Sequence, residues 1–480
     1  MLFADMTSTT ARPELPLPAR VLDAFGGVLL VLLLCVLIFG PVRVDAGVAS
    51  LSVGSIVRLL VLLAASVGGR HLIWPRPPLH LRCLAAVRAL SGSAALRRVL
   101  PPFLATRGAV LFTGLLAVLT IGFPESGPPV RISESEVANL PLRFDAGWYL
   151  DIAVHGYRWS PDADGPQNVA FFPAYPALMS LGAALVNAGN EPEGLGARVS
   201  YERYYVRHVA AGLVIALGAF LWGLAYLYRL AREDLDDRSA SGAILLLCAF
   251  PFAVFYGAPY SENLFLLATV AAFFHGRRGD WGVACAWGAL AGLTRPNGFA
   301  LCVPLALLAL GARTRSPRAW LAVAAPIGGL AAFSLYLLAQ TGNPLAWLDA
   351  HAAWGRSTGG GDMLLAVPLE FRSGETLYNR TLGEPLRWLD GCAAILALAL
   401  VAPLTRRLGW AYGSWIVVNL ALAIGSGGLL SVGRVVSTLF PLFIYLGARL
   451  TAGQTTLALA VFATLQGFGA ALFYTWRPFI

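Results

Sequence analysis

Tyr205-Val-Arg-His-Val-Ala-Ala-Gly-Leu-Val-Ile-Ala-Leu-Gly-Ala-Phe-Leu-Trp-Gly-Leu-Ala-Tyr-Leu-Tyr228 offers almost nothing to water over its length. A helix needs roughly 20 apolar residues to cross the hydrocarbon core, with about 17–25 as the working range. Similar runs recur near 21–40, 49–67, 107–124, 239–257, 260–276, 319–340, 386–404, 409–425, 434–450 and 454–474. Two shorter runs, 281–295 and 298–311, flank Thr294-Arg295-Pro296-Asn297-Gly298 and read as short tilted helices meeting at a polar turn. The pattern predicts an all-α polytopic membrane protein, a bundle of about thirteen transmembrane helices.

Composition agrees. The 480 residues are 57% hydrophobic and 13% charged, with a mean hydropathy of +0.68, whereas soluble domains carry about 25% charged residues. So few charges cannot cover a water-facing surface. The 35 basic residues are all Arg, scattered between apolar runs rather than gathered into one stripe with interleaved aromatics, which argues against nucleic-acid binding. Of six Cys, five (Cys35, Cys248, Cys285, Cys302, Cys392) lie in or beside apolar runs, and Cys83 stands in a basic loop. With no CxxC or metal-ligand spacing, neither a disulfide nor a Cys-based metal site is expected. The first apolar run, Val21 to Gly40, reads as a span and not as a cleaved signal.

Basic loops stay cytoplasmic. Stretch 68–107 holds seven Arg and no Asp or Glu, and the Arg residues at 277–278, 313–318 and 406–407 mark the same side. Crossing parity then puts 125–204, Pro259-Tyr260, the Arg295 turn, 341–385 and Ser426–Arg434 outside. Segment 169–188 is apolar enough to tempt a span assignment, but a full crossing there would invert everything after it. It is therefore taken as a surface or re-entrant helix of a long external loop. The resulting organisation is a disordered cytoplasmic tail over 1–20, extra helices and a basic loop over 21–106, and a membrane domain over 107–480. The long first external loop, 125–204, carries juxtamembrane helices, and a second external loop covers 341–385.

Loop 125–204 contains ten of the 26 acidic residues. Its core reads Arg143-Phe-Asp-Ala-Gly-Trp-Tyr-Leu-Asp-Ile-Ala-Val-His-Gly-Tyr157, followed by Asn168-Val-Ala-Phe-Phe-Pro-Ala-Tyr-Pro-Ala-Leu178. As a helix from Asp145 to His155, about 100° per residue brings Asp145, Trp148, Tyr149, Ile152 and His155 to one face, with Asp151 about 120° away. A base beside a ring-shaped substrate would look like this. So would an interfacial helix anchored by Trp and Tyr.

These two motifs resemble the PIG-V family, which includes the second mannosyltransferase of glycosylphosphatidylinositol assembly and bacterial relatives. Pro259-Tyr260-Ser261-Glu262, Thr294-Arg295-Pro296-Asn297-Gly298 and, more weakly, Gly433-Arg434 ahead of Phe440-Pro441-Leu442-Phe443 add to the resemblance. It covers about 107–480 and leaves out the first hundred residues. It implies a C-type (GT-C) glycosyltransferase that moves a hexose, most simply mannose, with inversion. The donor would be a polyprenyl-phosphate sugar, and the acceptor an extracytoplasmic or lipid-linked glycolipid, glycan or protein. It also implies that Asp145 is the general base, that Phe144 replaces the frequent Trp before it, and that the enzyme sits in a bacterial cytoplasmic membrane. Its N-terminus would be cytoplasmic and its active site extracytoplasmic.

The leaving phosphate ester is already anionic and needs positive charge, which Arg supplies as a planar fork. Arg295 and Arg434 are the favoured donor-binding residues, ahead of Arg143 and Arg207. Asn297, Tyr149, Trp148, His155, Asp151 and Tyr260 complete the expected substrate-binding set. Glu262 opens a span and could orient the acceptor, hold Arg295 or simply cap its helix. No cofactor is expected, and transfer is taken as metal-independent because Asp145, Asp151 and His155 match no standard ligand spacing. The competing reading is a transporter or flippase of a lipid-linked saccharide, which would place charged residues near the middle of spans.

Overall fold

The computed structural model describes residues 42–45, 50–53, 56–73, 93–162, 165–187, 197–354, 387–427 and 429–477, plus isolated helical positions between 18 and 33. Most of the expected 21–40 span, the middle of the basic loop with Cys83, the N-terminal tail and most of the second external loop lie outside the described residues. Two compact units emerge, Met1–Gly92 and Ser93–Ile480.

In the first unit, β1 (Val42–Asp45) pairs antiparallel with β2 (Ser50–Val53), Val42 opposite Val53. Helix α1 (Ile56–Ile73) follows. The hairpin is a local exception to the all-α expectation, and it moves the 49–67 span to 56–73. Val-Arg-Val-Asp and Ser-Leu-Ser-Val alternate with the two-residue period of a strand, a signal that a hydropathy window averages away. Leu59 on α1 packs with Leu29 and Leu33.

The second unit is a helical bundle. Its first four helices are α2 (Ala94–Thr120), α3 (Glu136–Asn139), α4 (Asp145–His155) and α5 (Ala174–Asn187). Next come α6 (Ala197–Ala231), α7 (Asp237–Ala249), α8 (Ser261–Arg277) and α9 (Trp281–Thr294). Helices α10 (Cys302–Gly311), α11 (Pro317–Thr341), α12 (Ala346–His351) and α13 (Arg387–Leu408) follow. The chain finishes with α14 (Trp410–Gly427), α15 (Val432–Thr438), α16 (Phe440–Arg449) and α17 (Ala452–Tyr474).

Six helices are long and apolar enough to cross a membrane, or eight if each of two bent pairs is one span. Reaching thirteen requires α8, α9, the 296–311 piece, α14 and the 21–40 segment as well. Large side chains such as Phe112, Leu119, Val214, Leu335, Ile395 and Leu457 are 64–71% exposed. Apolar exposure on that scale around the bundle suits lipid rather than water. The chain is an integral, multi-pass membrane protein.

The centre of the bundle is α8, which packs against α6 and α9. Glu262, Asn263, Phe265, Leu266, Ala268, Thr269 and Val270 on it have no exposure at all. Helices α9 and α11 approach through small residues: a Cβ on Gly292 would sit 2.0 Å from the Pro326 carbonyl oxygen. Only a bare backbone permits that spacing.

Three expected boundaries change. The 239–257 span bends by 78° between α7 and the 3-10 turn Pro251–Gly257, and the 434–450 span bends by 67° between α15 and α16. Pro251 stands just after the first break, and proline drives the preceding residue out of the helical region. Phe250 accordingly has ψ 138°. The second break falls at Leu439, where ψ is 67°. The third change is at Arg107, placed by sequence at the end of a cytoplasmic loop. It lies in the interior of α2, 3% exposed, and the 106/107 boundary falls inside a helix that starts at Ala94. Arg107 donates to the carbonyls of Ala253 and Cys248, and Gln466 donates to those of Cys248 and Phe250 at 2.9 and 2.8 Å. The bend frees these carbonyls, and in lipid they must be satisfied by protein.

Helix α5 has 14 residues, about 21 Å at 1.5 Å per residue. That is short of a straight crossing, as a surface or re-entrant helix requires. It packs against α6 through Tyr175, whose hydroxyl donates to the Gly212 carbonyl at 2.8 Å.

Candidate active site

Helix α4 begins at Asp145 and ends at His155, the range read from the sequence. The residue before it, Phe144, has φ 45° without being glycine, a conformation that costs about 1–3 kcal/mol and persists only when its surroundings impose it. They do so here. Phe144 packs on Phe473 and Trp476, with ring centroids 5.6 and 4.8 Å away. Arg143, 1% exposed, donates to the carbonyls of Tyr474 and Asn139 at 2.8 and 2.6 Å. Burial draws the Arg143 guanidinium down to about 10, against the pull of Glu136. Arg143 therefore pins the loop to the end of α17 rather than facing a ligand. Tyr260 closes the turn: its hydroxyl accepts the Asp145 N–H at 3.1 Å and donates to the Arg143 carbonyl at 3.0 Å.

Four charges from four segments meet beside this turn. Arg434 Nη2 donates to Asp145 Oδ2 at 2.7 Å and to Glu262 Oε1 at 2.6 Å, and Arg434 Nε donates to Glu262 Oε1 at 2.8 Å. Arg295 Nη1 lies 2.7 Å from the same Glu262 oxygen and donates to Ser261 Oγ at 3.3 Å. Tyr149 donates to Ser261 Oγ at 2.7 Å, and burial pushes its phenol well above the usual range, so it stays a donor. The Arg434 guanidinium also rests over the rings of Phe255 and Tyr260, 4.8 and 5.1 Å from their centroids.

Glu262 is thus no simple cap; it is the hub that holds both arginines. Its Oε2 finds no hydrogen-bond partner among the described residues. Behind Arg434, the backbone N–H of Gly433 donates to Asp390 at 2.5 Å. A Cβ on Gly433 would meet the Phe252 ring at 2.1 Å.

Asp145 also borders a cleft of about 600 Å³, with Phe144, Trp148, Asp151, His155 and Tyr205 among its lining residues. Asp151 belongs to a separate network. It accepts from Arg158 Nη2 at 2.5 Å and Asn168 Nδ2 at 2.8 Å, and lies 3.0 Å from His155 Nδ1. Burial pushes the Asp151 carboxyl up, but these partners outweigh it and hold it below the ordinary carboxylate value. Trp148 stacks on Phe171 at 5.7 Å and 15°.

Of the expected residues, Asp145, Glu262, Arg295, Arg434, Tyr149 and Tyr260 form one connected network. Trp148, Asp151 and His155 line the cleft. Asn297 does neither: its amide donates to Asn419 Oδ1 at 2.6 Å and ties the 296–301 turn to α14. Ser261, Asp390, Arg158 and Tyr205 carry no role in the sequence reading. Asn168 stood inside a recognised motif but was assigned nothing. Among the described residues no three His, Cys, Asp or Glu side chains converge as metal ligands do.

The charged network occupies one end of the bundle. At the other end of α8, Arg277 pairs with Asp234 and Glu233, and nearby Arg98 pairs with Asp237 at 2.6 Å. Arg277 and the Asp145 network thus lie at opposite ends of α8.

Comparison with known proteins gives one family match. The family model described as mannosyltransferase (PIG-V) matches residues 128–310, the stretch holding Asp145, Glu262 and Arg295. No curated protein matches the chain. Among solved structures, similarity is found to the crystal structure of the Archaeoglobus fulgidus oligosaccharyltransferase tethered with an acceptor peptide containing the NVT sequon. The TM-score is 0.38 at 14% identity, over 78% of this chain and 55% of that one. The chain thus spans about half the length of that protein.

Proposed function

We propose that the chain is a membrane glycosyltransferase of the PIG-V kind. It would transfer a hexose, most simply mannose, from a polyprenyl-phosphate carrier to an acceptor hydroxyl on the extracytoplasmic side of a bacterial cytoplasmic membrane. The observation that carries this reading is the pairing of Asp145 with Arg434 at the edge of the cleft, within reach of Glu262 and Arg295. A carboxylate and fixed guanidiniums side by side are what the reaction needs.

In this reading the acceptor hydroxyl gives its proton to Asp145 as its oxygen bonds to C1 of the sugar. The C1–O bond to phosphate breaks on the opposite face, its electron pair leaves on the phosphate oxygen, and the anomeric configuration inverts. Arg434 occupies Oδ2 of Asp145, and among the described residues no hydrogen bond reaches Oδ1, which is the oxygen available to the hydroxyl. General-base assistance of this kind contributes about 10²–10⁴-fold.

The two arginines divide the work. Arg434, with 7% of its side chain exposed, already bridges two carboxylates, while Arg295, at 19%, is the more accessible cation for the donor phosphate. Neither step calls on a metal.

A transporter would use charged groups inside the spans to line a path. Arg107, deep in α2, spends its guanidinium on the carbonyls of a helix bend, and buried Asp390 in α13 accepts the Gly433 N–H, so neither lines a path and the enzyme reading is preferred. The test is to supply reconstituted protein with polyprenyl-phosphate mannose and a mixed pool of membrane glycolipid acceptors. Consumption of donor with formation of a product of inverted anomeric configuration supports transfer. Passage of intact donor across the bilayer without consumption would favour transport.

A further inference from the structure

The mechanism above uses only the part of the cleft beside Asp145. Past Trp148, Asp151 and Arg158 the surface opens into a second cavity of about 320 Å³, which shares those three residues with the first and adds Trp159, Gln167 and Asn168. Together the two fall within the size range of small-molecule sites.

This second cavity is held rigidly. Gln167 clamps the backbone of Ser160, donating from Nε2 to its carbonyl at 2.9 Å and accepting its N–H at 2.8 Å. Asn168 accepts the Arg158 N–H at 2.9 Å and donates to Asp151 at 2.8 Å and to the Gly156 carbonyl at 3.0 Å. Residues 158–160 and 167–168 are thereby fastened to the end of α4. One aromatic wall, Trp148, is fixed by its stack on Phe171; the other is half-buried Trp159.

The chemistry of the two cavities differs. Around Asp145 the lining includes Val130, Ile132, Phe144 and Trp476. The second cavity keeps the shared Trp148 and the Asp151–Arg158 pair and adds the Trp159 indole and the amides of Gln167 and Asn168. A pyranose presents the matching surfaces, with C–H faces for indole and hydroxyl edges for amides and carboxylates. Distance matters as well. Asp151 lies six residues beyond Asp145 on one helix, about 9 Å along its axis. A single ring held at Asp145 does not reach past that partition.

We propose that the second cavity is a saccharide subsite holding the ring next to the reacting one, so that the acceptor carries at least two sugar rings. The position of the reacting ring rests on the reading of Asp145 as base; the binding of sugar at Trp159 does not.

The test uses the full-length protein in detergent without donor, titrated by calorimetry with methyl mannoside, mannobiose and mannotriose. Affinity should rise about tenfold from one ring to two. Trp159→Ala and Gln167→Ala should each erase that gain while monosaccharide affinity persists, and Trp159→Phe should retain part of it. Monosaccharide binding reports that each variant is folded. Equal affinity across the series, or a gain that survives both alanine variants, overturns the proposal. Because no transfer is measured, that failure is distinguishable from failure of Asp145 as base.

Discussion

Replacing Glu262 with Gln removes one charge from the middle of the four-charge network and leaves the shape almost intact. In the native protein Oε1 of Glu262 takes three contacts from two guanidiniums at 2.6–2.8 Å, with no exposure. Two cations are then left with one carboxylate, Asp145, which reaches Arg434 alone. Breaking a buried ion pair on one side costs about 3–5 kcal/mol. The retained amide oxygen still accepts one hydrogen bond, which places this change near the low end, about 3 kcal/mol. With the size dependence of melting transitions, that corresponds to a fall in apparent Tm on the order of 5 °C.

The assay is thermal denaturation of purified protein in detergent, for Glu262→Gln, Arg295→Gln and the double variant. The double variant should be less damaged than the sum of the singles, with a coupling above about 1 kcal/mol, because the second substitution removes the cation stranded by the first. A Glu262→Gln protein that melts within about 1 °C of the wild type, or strictly additive effects, would refute the assignment of Glu262 as the hub.

Other outcomes follow from neighbouring contacts. Arg295→Gln should raise KM for the polyprenyl-phosphate donor several-fold more than it lowers kcat, because its role is binding; steady-state kinetics with varied donor checks this. Gly433→Ala should lower both stability and transfer, since its Cβ would meet the Phe252 ring at 2.1 Å, overpacking costs about 1–3 kcal/mol, and any backbone shift at 433 moves the adjoining Arg434. Combining it with Phe252→Leu should restore part of both. Asp151 has a folded-state pKa held below its ordinary value of 3.8. Its contribution to stability is therefore fully present above that value and is lost as pH falls through the lowered one. The gap in apparent Tm between wild type and Asp151→Asn should stay constant from neutral pH down to about 5 and close only below the ordinary carboxylate value.

What could be read in the sequence was local. Asp145 to His155 could be read as a helix because the periodic aromatic and apolar residues between them are bounded by a carboxylate at one end and Gly156 at the other. The Glu262–Arg295 contact was accessible because both residues open polar turns at the same end of consecutive short helices. Distant partners were hidden. Arg434 lies 289 residues from Asp145, and nothing in its own neighbourhood tells that its guanidinium closes on two carboxylates. Arg107 was misplaced for a related reason. A charge beside an apolar run is cheapest in a loop, and the carbonyls that make it welcome inside the bundle arise from a bend 146 residues away. The β-hairpin escaped because its period of two is erased by any window wide enough to find a span.

The most direct measurement is the rate of hexose transfer by Asp145→Asn, in protein that expresses and melts like the wild type, from a polyprenyl-phosphate donor at saturating acceptor. The substitution keeps the side-chain shape beside Arg434 and removes the proton acceptor. Transfer should fall by at least about 10²-fold. Retention of near-wild-type turnover would contradict the role given to Asp145, and with it the mechanism built around that carboxylate.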